Sequence, residues 1–247
     1  MGPDTTAASS SPQVTSARAA PTVAIIVPVL IEPEIDRQLE RLTALSPDEL
    51  IVAEAGDAAT GERLRAFSAA RASAANIRVV RSERGRARQM NAGASAARSD
   101  VLLFVHADTV LPSGALALVR DAILRDNAWG RFDVRLSGAA VTFRAIERAM
   151  NWRSALTGIA TGDQTLFVRR DVFDMLGGFA PIALMEDVEF SRRLKWVGRP
   201  FLIRTPVITS SRRWERHGIL RTVLTMWLLR TFYALGVSPE RLARWYK

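Results

Sequence analysis

The 247-residue chain contains no cysteine and only two histidines. The absence of cysteine excludes disulfide scaffolds, zinc–thiolate sites, iron–sulfur clusters and cysteine nucleophiles, and it fits a reducing compartment such as the cytoplasm. The chain also lacks the Gly-x-Gly-x-x-Gly pattern of dinucleotide-binding folds and the Gly-x-x-x-x-Gly-Lys-Ser/Thr pattern of phosphate-binding loops. The sequence therefore excludes these two common nucleotide sites.

Negative charge is scarce relative to positive charge, because 34 Lys and Arg residues stand against 25 Asp and Glu residues, for a net charge of +9. Such a surplus fits nucleic acid, an anionic membrane surface or a phosphorylated substrate. Hydrophobic residues make up 48% of the chain, which is typical of a folded globular protein. Composition alone leaves the three partner classes open.

The two ends of the chain differ from its middle. Residues 1–20 are rich in Ala, Ser, Thr and Pro without an apolar run, which predicts a disordered tail. Residues 218–235 form an apolar helical stripe, but Arg221 and Arg230 interrupt it, so it is too short and too charged to span a bilayer. Residues 218–247 are therefore predicted to be amphipathic helices, packed either on the domain alone or also on an anionic membrane at its inner face.

The middle of the chain alternates between apolar runs and helical patterns. Residues 23–29, 50–53, 77–80 and 101–105 are predicted strands, and helices are predicted at 35–45, 62–75, 86–97 and 112–125. This alternation predicts an α/β domain over residues 21–217 with a mostly parallel sheet and flanking helices. Beyond Gly130 the rhythm changes, and the second half is an elaboration of the same domain.

Charged residues follow the predicted strands. Glu32 follows the first strand, Glu54 the second, the arginine-rich segment 81–93 the third, and 106–108 the fourth. Ligands of open α/β sheets bind outside the carboxyl ends of the strands. Acids, arginines and glycines are thus predicted to meet at one edge of the sheet.

Several segments at this edge form a recognisable series. They are VPVL with Glu32, IVAEAGD, RGRARQMNAG, LLFVHADT, TGDQTLFVRR, LMEDVEFSRRL and SRRWERHG. With these seven segments in this order, the chain resembles a family 2 glycosyltransferase of the GT-A (nucleotide-diphospho-sugar transferase) fold, close to the radical-SAM/selenodomain-associated branch. The resemblance covers about residues 22–246. It implies a nucleotide-sugar donor, inversion at the sugar carbon, and a divalent metal, Mg²⁺ or Mn²⁺.

The segment at 106–108 stands where the resemblance implies a metal motif. Asp108 is then the first metal ligand, and His106 contacts the ribose or supports the metal shell. A carboxylate oxygen suits Mg²⁺ or Mn²⁺ at a departing diphosphate. The alternative is that Asp108 caps the helix that follows Pro112. His217 is a second candidate ligand, with an exposed surface histidine as the alternative.

The resemblance also implies a set of substrate-binding residues. The first loop lines the donor site, an acid after the second strand meets the base, an Asn and a Gly meet the base and ribose, and arginines bind the diphosphate, since guanidinium matches phosphate geometry. An Arg-Trp pair closes the site. These residues are Pro28, Glu32, Glu54, Arg84, Arg86, Asn91, Gly93, His106, Arg213 and Trp214.

Three acids are candidate catalytic residues. The resemblance makes Asp187 the general base that removes the proton of the acceptor hydroxyl, while Glu186 orients the acceptor or its neighbour. Asp163 contacts the donor sugar or the acceptor. The alternatives are an acidic cap at a helix N-terminus for the pair and a turn role for Asp163.

The leading hypothesis is therefore an inverting glycosyltransferase that moves a sugar from a UDP- or GDP-sugar to a small or lipid-linked acceptor. A nucleotidyltransferase on a related sheet is a second hypothesis, but it would need a Gly-rich basic loop directly after the first strand, where the chain has Val29-Leu30-Ile31-Glu32. A nucleic-acid-binding domain would need basic and aromatic residues interleaved on one face. The arginines cluster beside acids instead, so no nucleic-acid partner is expected.

Overall fold

The computed structural model describes residues 19–72 and 76–246. Most of the tail predicted at 1–20 and the end of the helix predicted at 62–75 lie outside these residues. The strands are β1 (Val23–Val29), β2 (Glu49–Glu54), β3 (Ile77–Arg81), β4 (Val101–Phe104), β5 (Trp129–Leu136), β6 (Leu166–Arg169) and β7 (Phe201–Thr209). The helices are α1 (Ile35–Thr43), α2 (Ala58–Ala69), α3 (Arg86–Ala96), α4 (Ala115–Leu124), α5 (Val141–Thr157), α6 (Arg170–Met175), α7 (Glu186–Val197), α8 (Arg212–His217), α9 (Ile219–Ala234) and α10 (Pro239–Trp245).

The strands form one seven-stranded sheet in the order β3-β2-β1-β4-β6-β5-β7. Strands β1 to β4 pair in parallel, β5 pairs in parallel with β7, and β6 is antiparallel to both of its neighbours. The predicted α/β architecture with a mostly parallel sheet is therefore confirmed. The chain reverses its direction across the sheet between β1 and β4, and such a switch point opens a crevice at the carboxyl ends of the strands.

Helices cover both faces of the sheet because the strands are apolar on both sides. Alternate residues of β1, such as Ile25 and Val27, pack against α1, α2 and α4 on one face. The intervening residues, such as Ile26, pack against α3, α6 and α7 on the other face. A continuous β-branched run is the sequence pattern of a strand buried on both faces.

The C-terminal helices pack on the start of α7. Leu229 of α9 and Leu242 of α10 are buried against Met185 and Val188 in a small third apolar cluster. The Ser238 side chain accepts a hydrogen bond from the backbone N–H of Arg241, as expected for a helix that begins at Pro239. Among the described residues, no helix is both long and apolar enough to cross a membrane. Helix α8, which carries Arg213, was not expected from the sequence, because six residues are too few for a periodic pattern.

Candidate active site

A large cavity opens at the switch point between β1 and β4. Its volume is about 1350 Å³, and its walls come from the loops after β1 and β4, the start of α3, helix α5, the turn 162–164, the start of α7 and helices α8 to α10. This is the crevice in which open α/β sheets bind ligands. The following residues named from the sequence line it: Pro28, Glu32, Arg84, Arg86, His106, Asp108, Asp163, Glu186, Asp187, Arg213, Trp214 and His217.

Three residues expected to bind the donor do not line this cavity. Glu54 is fully buried, where its carboxylate accepts hydrogen bonds from Arg81 at 3.1 Å and from the backbone N–H of Gly56 at 3.2 Å. Asn91 exchanges two hydrogen bonds with the backbone of Phe179, at 2.8 and 2.9 Å. Their polar groups are thus engaged within the protein, and their contacts with the donor base stay a prediction.

Gly93 is the third of these residues, and its role in the structure is packing. A Cβ atom at this position would lie 2.5 Å from Cγ2 of Ile26, so only glycine allows α3 to approach β1 this closely. The close approach of α3 to β1 is a steric reason for glycine here, and the contact of Gly93 with base and ribose stays a prediction. The site proposed below does not include Glu54, Asn91 or Gly93.

Asp187 is fixed by the backbone at the start of α7. Its Oδ2 accepts the N–H of Gly162 at 2.8 Å, and its Oδ1 accepts the N–H of Val188 at 2.7 Å. The carboxylate is half-buried and lies at the positive end of the helix dipole. Each carboxylate oxygen keeps a further lone pair. Asp187 is therefore a rigidly held proton acceptor in the wall of the cavity.

Gly162 also connects Asp187 to His106. A Cβ atom on Gly162 would lie 2.3 Å from Nε2 of His106, so the ring packs directly against a bare backbone. On its other side, Nδ1 of His106 lies 3.6 Å from Oδ1 of Asp163. The end of β4, the turn at 162–164 and the start of α7 are therefore one contiguous unit.

Asp163 and Glu186 have shifted pKa values of opposite sign. Enclosure would raise the pKa of Asp163, but the His106 ring and then the charges of Arg86 and Arg213 lower it below its ordinary value. Burial raises the pKa of Glu186, the charge of Asp187 raises it further, and Arg86, 3.7 Å away, offsets part of the rise. The cavity therefore contains both a readily ionised acid and an acid that resists ionisation, as active sites often do.

The opposite rim of the cavity is formed by α8 and the loop after β1. Arg212 lies 3.3 Å from the carboxylate of Glu32, so an ion pair joins the two segments. The Arg213 guanidinium lies 4.3 Å from the centre of the Tyr246 ring, which tethers α8 to the C-terminal end. The C-terminal helices are therefore part of the wall of the site.

The described residues contain no group of three or more His, Asp or Glu side chains arranged to hold a metal ion. Mg²⁺ does not require such a cage, because it is often bound by one or two carboxylates together with substrate phosphates and water. Asp108 fits this role, since it lines the cavity and makes no hydrogen bond or ion pair with another described residue. His106 is engaged by Asp163, whereas His217 lines the same cavity from α8.

Sequence reasoning missed several arginines of the cavity wall, among them Arg153 and Arg230. Arg153 of α5 and Arg230 of α9 line the cavity, and the charge of Asp187 acts on both guanidinium groups. Neither residue belongs to a motif, and Arg230 was interpreted only as a charge that interrupts an apolar helix. No local signal identifies them, because α5, α7 and α9 meet only in the folded protein.

The sequence profile of Glycosyl transferase family 2 matches residues 24–180, well over half of the chain. The protein belongs to this family. The match ends before α7, so residues 181–247, with Asp187 and α8 to α10, lie outside it. No curated protein sequence matches the chain.

Solved structures of glycosyltransferases share the fold. Residues 1–349 of TarS from S. aureus superpose with a TM-score of 0.62 at 16% identity, over 77% of this chain and 60% of that one. The mannosyltransferase PcManGT from Pyrobaculum calidifontis, solved with GDP-Man and Mn²⁺, superposes with a TM-score of 0.63 at 20% identity, over 91% of this chain and 68% of that one. The chain thus spans less than two thirds of the TarS structure.

Proposed function

We propose that the protein is an inverting glycosyltransferase of the radical-SAM/selenodomain-associated branch, which transfers a sugar from a UDP- or GDP-sugar to a small or lipid-linked acceptor. One observation carries the proposal. The cavity at the switch point combines Arg84, Arg86 and Asp108, which suit a diphosphate, with Asp187, which is held rigidly at a helix start. A nucleotide-sugar needs both kinds of group.

The donor end of the cavity binds the diphosphate. Arg84 and Arg86, at and just before the start of α3, present guanidinium groups to the phosphate oxygens. Asp108, with His217 as a second candidate ligand, would hold a divalent metal. When bound, the metal neutralises charge that develops on the leaving diphosphate. PcManGT, whose structure was solved with GDP-Man and Mn²⁺, offers a precedent for both the donor class and the metal.

Asp187 acts as the general base. Its carboxylate takes the proton of the acceptor hydroxyl while the hydroxyl oxygen forms a bond to the anomeric carbon. The bond from that carbon to the diphosphate oxygen breaks, and the nucleoside diphosphate leaves with the electron pair. A single displacement of this kind inverts the configuration of the sugar carbon.

Four further residues orient the substrates. Glu186 adjoins Asp187 and lies near Arg86, so it orients the acceptor or the phosphate side of the donor. Asp163 contacts the sugar or the acceptor from the turn that also holds Asp187, and Arg213 with Trp214 closes the site from α8. Each lines the same cavity as the base.

The C-terminal helices also support a peripheral contact with an anionic membrane, at the inner face of the cell membrane. Helix α9 exposes Leu220, Leu224, Trp227 and Leu228 beside Arg221. Apolar and basic residues together suit the interface of an anionic leaflet. Sedimentation with phosphatidylglycerol vesicles at low salt tests this part, and equal recovery in the supernatant with and without vesicles would contradict it.

The enzymatic proposal is tested by incubating the full chain with a panel of nucleotide-sugars and Mg²⁺ or Mn²⁺, and measuring released nucleoside diphosphate. Release from one donor class, lost in Asp187→Asn and retained in Asp121→Asn, is the expected result. Asp121 is an exposed residue of α4 outside the cavity, so its variant controls for the chemical change alone. Formation of nucleotide-sugar and pyrophosphate from a sugar phosphate and a nucleoside triphosphate would instead identify a nucleotidyltransferase.

A further inference from the structure

A small side cavity lies between α5, α7 and α9. Its volume is about 150 Å³, and it shares Arg153, Thr157, Val188 and Arg230 with the large cavity. Val188 follows Asp187 directly, so the side cavity begins next to the proposed base. Its complete lining is Arg153, Thr157, Ile159, Val188, Arg192, Arg230 and Tyr233.

The charged residues that line this side cavity are all arginines. Arg153, Arg192 and Arg230 contribute guanidinium groups, and no carboxylate lines the space. None of the three arginines makes a hydrogen bond or an ion pair with another residue in the described parts of the chain. The Arg192 guanidinium lies 5.0 Å from the centre of the Tyr233 ring, which holds it beside the cavity.

Arg131 has hydrogen-bond partners that Arg153 lacks among the described residues. Arg131 of β5 is fully buried, and its guanidinium donates to Asp133 and to the backbone carbonyls of Phe132 and Asn151. In Arg153, which is half-buried, both Nε and Nη2 are shielded from solvent without a partner among the described residues, whereas in Arg131 only Nε is. A buried cation without a compensating anion is costly, so its presence needs an explanation.

The pKa values of Arg153 and Arg230 also indicate that their positive charges are not fully compensated. Burial and then the charge of Arg230 lower the pKa of Arg153 to about 10, and Asp187 offsets only part of this shift. Burial also lowers the pKa of Arg230, against the opposing charges of Asp187 and Asp163. Asp187 is the acid that acts on both guanidinium groups, and its one negative charge does not balance two positive charges.

The diphosphate of the donor does not account for these arginines. Its proposed partners Arg84 and Arg86 belong to the start of α3 and line the large cavity only. The side cavity is built from α5, α7 and α9 and lies next to Asp187, where the acceptor hydroxyl must lie. The missing anion is therefore expected on the acceptor.

We propose that Arg153, Arg192 and Arg230 bind a phosphate monoester carried by the acceptor and so place the acceptor hydroxyl at Asp187. A phosphate monoester supplies close to two negative charges and three free oxygens, which suits three guanidinium groups better than a carboxylate does. The assignment of this phosphate to the acceptor rests on the proposed transferase function, but the phosphate site itself does not.

The first experiment measures binding of inorganic phosphate to the full chain by isothermal titration, without donor or metal. Arg153→Met and Arg230→Met should each weaken binding about tenfold, the loss expected for one charge-assisted hydrogen bond. Arg192 is exposed, so Arg192→Met provides a variant whose folding is not at risk. Arg125→Met, at the exposed C-terminus of α4, is the matched control and should bind phosphate as the wild type does.

A second set of measurements distinguishes the source of the phosphate. Glycerol phosphate is titrated in solution, and the protein is sedimented with phosphatidylcholine vesicles that contain either phosphatidic acid, a monoester, or phosphatidylglycerol, a diester. Arginine-dependent binding of glycerol phosphate alone supports a soluble acceptor. Arginine-dependent binding of phosphatidic acid but not phosphatidylglycerol vesicles supports a lipid phosphate.

Unchanged phosphate affinity in all three arginine variants would overturn the proposal. So would a variant that keeps its phosphate affinity but shifts the acid limb of the pH–rate profile, because the arginines would then only position and ionise Asp187. Binding of a nucleoside diphosphate is measured in parallel. Its absence in the wild type would count against the proposed transferase, whereas its retention in the arginine variants separates the two sites.

Discussion

The two ends of the large cavity differ in how their charges are compensated. At the donor end two arginines have an acidic neighbour among the described residues: Arg86 lies 3.7 Å from the carboxylate of Glu186, and Arg212 lies 3.3 Å from that of Glu32. At the acceptor end, Arg153 and Arg230 have no such partner among the described residues, and the side cavity they line contains no carboxylate. The comparison teaches that a net charge of +9 says little until the folded protein shows which cations are left uncompensated.

The difference also has a physical meaning for stability. A charge that is paired within the protein, as at the donor end, carries no uncompensated desolvation cost, whether or not substrate is bound. An unpaired buried charge at the acceptor end costs stability until a ligand arrives, and this is a common trade-off at functional sites.

Asp187 lies between the donor end and the acceptor end, and its replacement should cause the largest loss of activity. Asp187→Asn keeps the size of the side chain but removes the base, so turnover should fall by about two to four decades while donor affinity stays unchanged. Steady-state kinetics and titration with the nucleoside diphosphate measure the two quantities. Turnover within threefold of the wild type would move the base to another acid, with Glu186 and Asp163 the next candidates.

Asp108 tests the donor end. Its carboxylate has no partner among the described residues, so Asp108→Ala should weaken binding of the nucleoside diphosphate in the presence of Mg²⁺ or Mn²⁺ by about tenfold or more. Excess EDTA should weaken wild-type binding to the same level and leave the variant little changed. Wild-type binding that is unaffected by EDTA would contradict a metal at this end of the cavity.

Glu49 tests what a fully compensated buried charge contributes. Its carboxylate accepts hydrogen bonds from the Ser99 hydroxyl and from the backbone N–H groups of Arg98 and Ser99, and it pairs with Arg78. Burial alone would raise the pKa of Glu49, but these contacts lower it below the ordinary value of 4.5. Glu49→Gln should therefore reduce the free energy of unfolding at neutral pH by about 1–3 kcal/mol.

The pH dependence of this loss has a definite sign. Because the folded pKa of Glu49 lies below the unfolded value, its stabilisation is complete above the unfolded pKa and is lost as pH falls through the folded pKa. Denaturant unfolding at a series of pH values should show the gap between wild type and Glu49→Gln closing on acidification. A gap that stays constant with pH would show that packing, not the carboxylate charge, accounts for the loss.

Replacement of Arg153 tests the acceptor end. It should change the free energy of unfolding least, and in the direction opposite to that of Glu49→Gln. Arg153→Met removes a shielded, unpartnered guanidinium, so the free energy of unfolding should stay the same or rise by about 1 kcal/mol. Denaturant unfolding of the phosphate-free protein measures this change, with Arg125→Met as the control. A clear loss of stability would mean that the protein compensates Arg153 by itself, and the comparison between the two ends would fail.

The sequence predicted much of the fold because periodicity is local information. The run Val23–Val29 is apolar at every position and forms the strand that it predicts, buried on both faces. The alternation of strands and helices up to α4 correctly predicted a parallel sheet and hence the edge at which ligands bind. Helix ends shifted by a few residues, as for α2, which begins at Ala58 rather than at 62.

Motifs predicted part of the candidate site. The segments with Asp108, Asp163 and Asp187 are far apart in the chain, yet all three line one cavity, because each follows a strand or begins a helix at the same edge of the sheet. Glu54 and Asn91 also follow motif positions, but their side chains are engaged by Arg81 and by the backbone of Phe179. Sequence position alone could not reveal these internal partners.

The sequence by itself determined the α/β architecture, the family and the edge of the sheet that holds the site, because strand patterns and motif spacing are encoded within short segments. Only the tertiary structure decided which charges remain without a partner. Arg153 and Arg230 lie 77 positions apart, and nothing in either neighbourhood relates them. They meet beside Asp187 because α5, α7 and α9 pack together, and a charge is desolvated or compensated only by the groups that packing brings around it.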